Sequence, residues 1–152
     1  MTRAAAALCL TALLAACSPR APEGVDRAVL DEAISVAIGD PGTCVLIGKG
    51  GKVVYQYGSH MVCGRELPAC EKPGLRTVDD LLKSAPTSGP ARTASCPSNP
   101  DGSRGVAWAA GAIQDTDFVY AAVMEGERTP PGIVIAEKLG AAFARAGLGP
   151  KQ

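Results

Sequence analysis

Aromatic residues make up only 4% of the chain, with a single Trp, so stacking platforms for single-stranded nucleic acid or sugars are not its main chemistry. An excess of one charge is missing as well. Fifteen Lys and Arg stand against fifteen Asp and Glu, and no Lys/Arg cluster offers a surface for nucleic acid or anionic lipid. Internal repeats, heptads and cofactor-binding motifs are absent, and so is any apolar run after Ala16 that reads as a membrane segment. The length beyond that point supports one domain and leaves no room for a second core.

What is present begins at the N-terminus. Arg3 supplies a positive start, and a nearly uninterrupted apolar run follows from Ala4 to Ala16, too short to anchor across a bilayer. It ends in Leu14-Ala15-Ala16-Cys17, which resembles the bacterial lipobox. The resemblance implies cleavage before Cys17 and lipidation of its thiol, several acyl chains giving stable anchoring where one alone holds marginally. Ser18 replaces the Asp that retains such proteins at the inner membrane, which implies the outer membrane, facing the periplasm. The expected organisation is a signal peptide over 1–16, a lipidated tether over 17–24 and one α+β domain over 25–148. Cys9 leaves with the signal. The competing reading is a buried N-terminal helix with Cys17 as an ordinary core residue.

Four cysteines then remain besides Cys17: Cys44, Cys63, Cys70 and Cys96. An even set in an oxidising compartment reads as two disulfides, each adding roughly 2–4 kcal/mol by restricting the unfolded chain. Four cysteines can pair in three ways. The compact loop between Cys63 and Cys70 favours that bridge, with Cys44–Cys96 as the second. The alternative is zinc on His60, Cys63 and Cys70, although their spacing fits no strong zinc template.

A helix is expected over Val25–Ile38, with Leu30, Ile34, Ala37 and Ile38 on one stripe. Gly39-Asp40-Pro41-Gly42 ends it. Thr43–Ile47 and Lys52–Tyr57 read as a hairpin across Gly48-Lys49-Gly50-Gly51, a turn that lacks the spacing of a phosphate loop. From Gly58 to Gly105 the chain reads as mostly irregular, apart from a short helix at Val78–Ser84 capped by Thr77. Gly105–Ile113 and Phe118–Met124 form a second hairpin around Gln114-Asp115-Thr116-Asp117. A helix over Ile133–Ala146 follows, with Ile135, Leu139, Phe143 and Ala146 turned inward. The fold expectation is therefore one antiparallel sheet of about four or five strands. Both long helices pack on one face, and a long disulfide-stapled insert separates the hairpins.

This order of elements is similar to the α/β part of the serine β-lactamase and penicillin-binding protein superfamily, in which a helical domain is inserted between two sheet halves. Gly105-Val-Ala-Trp-Ala-Ala-Gly111 and Val119-Tyr-Ala-Ala-Val123 look like the family's last two strands. His60 to Lys72, with Leu67-Pro68-Ala69-Cys70, resembles the approach to the nucleophile in class D enzymes. The chemistry does not carry over. The family needs Ser-x-x-Lys, and no such motif occurs. Cys70 stands where the serine would be, but Pro73 lies three residues on and Lys72 is one place short. Arg92-Thr93-Ala94 occupies the place of Lys-Thr-Gly with its glycine lost. The insert is also too short for the helical domain.

Two functional classes follow. The first is an envelope lipoprotein whose non-catalytic, β-lactamase-like domain binds or supports a partner, an envelope protein or peptidoglycan, with no cofactor. The second is a small cysteine or serine hydrolase of the periplasm acting on cell-wall-related substrates, using Cys70 with His60, or Ser59 or Ser95 with the same histidine. Other candidates read more simply as structure. Asp79 and Asp80 suit a helix N-terminus, Trp108 reads as core, and Glu125, Glu127 and Arg128 read as a solvated loop.

Overall fold

The computed structural model describes residues 20–150, so the expected signal, Cys17 and Ser18 lie outside the described residues. In chain order the elements are α1 (Arg27–Ile38), β1 (Thr43–Lys49), β2 (Lys52–Tyr57), α2 (His60–Cys63), β3 (Leu67–Pro68) and β4 (Leu75–Arg76). They continue with α3 (Val78–Lys83), β5 (Arg92–Pro97), β6 (Gly105–Ala112), β7 (Val119–Gly126) and α4 (Gly132–Arg145). The fold is α+β, built on a five-stranded antiparallel sheet of order β2-β1-β7-β6-β5. β3 and β4 form a separate two-stranded ribbon.

The two long helices form where the apolar stripes placed them, with one difference at each start. Asp26, inside the expected range Val25–Ile38, stands at the exposed N-cap of the helix instead: its carboxylate accepts from the Ala28 and Val29 N–H groups at 2.8 and 3.2 Å. α4 begins with Gly132, held close against the backbone of β6.

Alternation along the strands sorts the side chains into two cores. On one face Val45, Ile47, Tyr55, Ala107, Ala109, Tyr120 and Ala122 meet Leu30, Ile34, Ile135, Leu139 and Phe143 of α1 and α4. On the other, Cys44, Leu46, Val106, Trp108, Ala121 and Val123 meet Cys63, Leu67 and the α3 residues Val78, Leu81 and Leu82. Because both faces are covered, the central strands are nearly continuous apolar runs. Tyr55 Oη donates to Asp31 Oδ1 at 2.6 Å and ties α1 to β2.

The region expected to be irregular is more ordered than its composition suggests. It holds two short helices, the β3–β4 ribbon and the edge strand β5. β5 pairs with β6 from Arg92↔Ala110 to Pro97↔Gly105. Its sequence, Arg-Thr-Ala-Ser-Cys-Pro, carries no run of large apolar residues because an edge strand needs only its inner pairing and partial cover. No helix among the described residues is long and apolar enough to cross a membrane.

Candidate functional site

The cysteines pair as Cys44–Cys63 and Cys70–Cys96, with Cα separations of 5.2 and 5.5 Å. This corrects the expected Cys63–Cys70 and Cys44–Cys96 bridges, and the cause lies in the turn after β2. Gly58 has φ +98°, and a Cβ there would overlap the Thr43 carbonyl oxygen. Glycine lets the chain fold tightly against the start of β1, which brings Cys63 of α2 over Cys44. The segment between Cys63 and Cys70 is taken up by β3, leaving Cys70 to meet Cys96 on β5. Cys70 itself sits at φ 67°, a left-handed conformation unusual for a residue with a side chain. Both bridges lie on the α3 face and fasten the insert to the sheet. Trp108 adds a third fastening, its Nε1 donating to the Pro68 carbonyl at 2.8 Å beneath the Arg76 guanidinium.

These bonds decide several sequence readings. Cys70 is in a disulfide, so it offers no thiolate for attack, and Cys63 offers none for zinc. Among the described residues no group of three or more His, Cys, Asp or Glu is placed to hold a metal ion. His60 is exposed at the start of α2. Ser59 caps that helix by accepting from Val62 N–H at 3.2 Å, and Ser95 accepts from Gly132 N–H at 2.9 Å. Asp80 closes a capping box with Thr77, whose backbone N–H and hydroxyl hold its carboxyl below the ordinary range. Asp79 pairs with Lys83 at 2.6 Å. The candidate nucleophiles and carboxylates are thus engaged in holding the fold.

The group that sequence reading missed is Glu125. Rather than belonging to a solvated loop, it is 4% exposed near the end of β7, paired with Val106 across the sheet. It continues the alternation of Ala121 and Val123 and therefore points to the disulfide face. Arg104 grips it side-on, Nε to Oε1 at 2.7 Å and Nη2 to Oε2 at 2.9 Å. Arg65 Nη1 donates to Oε2 at 3.0 Å, and Ser98 Oγ donates to Oε1 at 2.8 Å. The Arg104 bonds above all, with help from Ser98 and Arg65, pull the carboxyl down to about 2. Each oxygen already accepts two hydrogen bonds, so this carboxylate is poorly suited to take a proton as a general base. It organises arginines instead. The two arginine side chains stay 45% and 42% exposed, and with Arg128, Asp40 and Glu127 they line a cleft of about 390 Å³. The only sequence signal for this cluster is that Glu125 falls in step with the inward residues of β7.

No family model matches the chain, and no curated protein or solved structure matches it either.

Proposed function

We propose that the protein is an exported lipoprotein of the cell envelope, anchored by lipid on Cys17. In this reading its small β-lactamase-like domain serves as a binding or structural module rather than as an enzyme. The observation that carries the reading is the pairing of all four cysteines of the domain in two disulfides. Such bridges persist in oxidising compartments, where a chain bearing Leu14-Ala15-Ala16-Cys17 would be delivered. Ser18 favours the outer membrane, with the domain facing the periplasm.

The likeness to β-lactamases is supported by element placement. The two hairpins on either side of the insert join in one sheet through β1 and β7, and both long helices cover the same face. Arg92-Thr93-Ala94 opens the edge strand β5. A non-catalytic role is supported by what the reactive side chains do: Cys70 is bridged, Ser59 and Ser95 cap helices, and Glu125 is saturated by donors. The candidate partner is an envelope protein or peptidoglycan. Arg65, Arg104 and Arg128, beside Asp40 and Glu127, give it a polar ionic surface of mixed sign.

Fractionation tests the anchor. Wild-type protein should sediment with membranes, whereas Cys17→Ser should appear as soluble protein or as uncut precursor. Metabolic fatty-acid labelling unchanged in Cys17→Ser would refute the reading.

A further inference from the structure

Two tyrosines are buried against the helices α1 and α4, and their hydroxyls have different fates. Tyr55 donates to Asp31 at 2.6 Å. Tyr120 is 4% exposed, its ring edge-on to Phe143 at 5.3 Å between centroids, and its hydroxyl has no hydrogen-bond partner among the described residues. Its oxygen is not sealed in the core either. Tyr120 lines a cleft of about 380 Å³ between α4 and the turn-side ends of β6 and β7. Water can therefore reach that oxygen when the cleft is empty, and a ligand atom that accepts its hydrogen bond would take the place of that water.

The rest of the lining is mainly apolar, with Gln114 and Glu137 as its other polar side chains, both exposed. Ile113, Phe143 and Leu148 are buried residues that line the cleft, and Ile133 stands half-exposed at its side. Small residues keep the space clear. A Cβ at Gly111 would press on Ala91 and approach the Tyr120 ring, and around a Cβ at Gly140 there is open space. The volume lies at the lower end of small-molecule sites, about 300–1,000 Å³.

Charge narrows the ligand class. Among the described residues the lining holds no Lys or Arg, and its one ionisable carboxylate, Glu137, is exposed. None of these lining side chains would compensate an anion. Burial pushes the Tyr120 phenol up to about 12, so it remains a neutral donor throughout the physiological range.

We propose that this cleft binds a small, neutral, mainly apolar molecule whose carbonyl oxygen accepts a hydrogen bond from Tyr120. The site lies on the sheet face opposite the disulfides and does not depend on lipidation of Cys17. It gives the domain a ligand of defined chemistry whether or not the envelope reading holds.

Acetophenone is a suitable probe, with ethylbenzene as a nearly isosteric control that lacks the oxygen. Titrated into the purified, disulfide-bonded protein and followed by NMR, acetophenone should shift signals of Ile113, Phe143 and Leu148. Ethylbenzene should bind several-fold more weakly. Tyr120→Phe should weaken acetophenone by about fivefold, the worth of one neutral hydrogen bond, and leave ethylbenzene unchanged. Gly140→Leu, at an exposed helical position with room for the side chain, should weaken both probes. Shifts absent or scattered over the surface would overturn the proposal. So would Tyr120→Phe binding acetophenone as tightly as wild type, or Gly140→Leu leaving both probes unaffected.

Discussion

Ser95 Oγ accepts a hydrogen bond from the Gly132 backbone N–H at 2.9 Å, so the edge strand β5 caps the helix α4 that follows two strands later. Pro131, the residue in the cap position, makes no side-chain cap bond of its own. The cap therefore comes from 37 residues away in sequence. This long-range bond gives a clear expectation. Ser95→Ala should lower unfolding stability by about 1 kcal/mol, as loss of an N-cap does. Urea denaturation checks it, and an unchanged midpoint would show that the bond contributes nothing.

Gly132 carries a steric demand at the same junction. A Cβ there would overlap the Trp108 carbonyl oxygen and crowd Ala94 and Thr93. Gly132→Ala should destabilise by about 1–3 kcal/mol, the usual effect of overpacking, despite alanine's better helix propensity. A variant as stable as wild type, or more so, would mean that α4 can move off the sheet without loss.

The long helices and both hairpins could be read from sequence because each declares itself locally, by an apolar stripe or by a turn between β-rich runs. β5 could not. Thr93 and Ser95 face α4 while Ala94 and Cys96 face the disulfide side, and none is large enough to show the alternation. The bridge partners were hidden for a related reason. Cys44 and Cys63 meet because Gly58 folds the chain back, a matter of tertiary path rather than spacing. Of the candidate site, Cys70, His60 and Ser95 are legible as reactive types, yet the roles of Cys70 and Ser95 depend on neighbours far along the chain. Glu125 looked like loop because its partners, Arg65 and Arg104, lie 60 and 21 residues away.

Glu125 predicts a pH dependence. Its carboxyl is held at about 2 in the folded protein, against an ordinary value of 4.5. A depressed folded value contributes stability that is present above about 4.5 and lost as pH falls towards 2. Glu125→Gln should lose about 1.5–3 kcal/mol at neutral pH, the scale of hydrogen bonds to a charged group. It should also flatten the acid limb of the stability profile. An acid limb of the same slope in the variant would assign that dependence to other groups.

The bridges themselves are separable. Replacing Cys70 and Cys96 together by Ser should remove roughly 2–4 kcal/mol and loosen the β3–β4 ribbon. Trp108 fluorescence should then shift, since its Nε1 bond to Pro68 lies next to that bridge. Replacing Cys44 and Cys63 should bring a similar loss with a smaller change at Trp108. A larger fluorescence change from the second pair would reverse the assignment of which bridge holds the ribbon.

The most direct test of the whole account is the intact mass of the protein recovered from its native membrane, taken with and without reduction before thiol alkylation. The account predicts a chain beginning at Cys17, heavier by its acyl groups. It also predicts that alkylation adds nothing before reduction and labels Cys44, Cys63, Cys70 and Cys96 after it. A chain still beginning at Met1 without lipid, or these four cysteines alkylated without reduction, would contradict it.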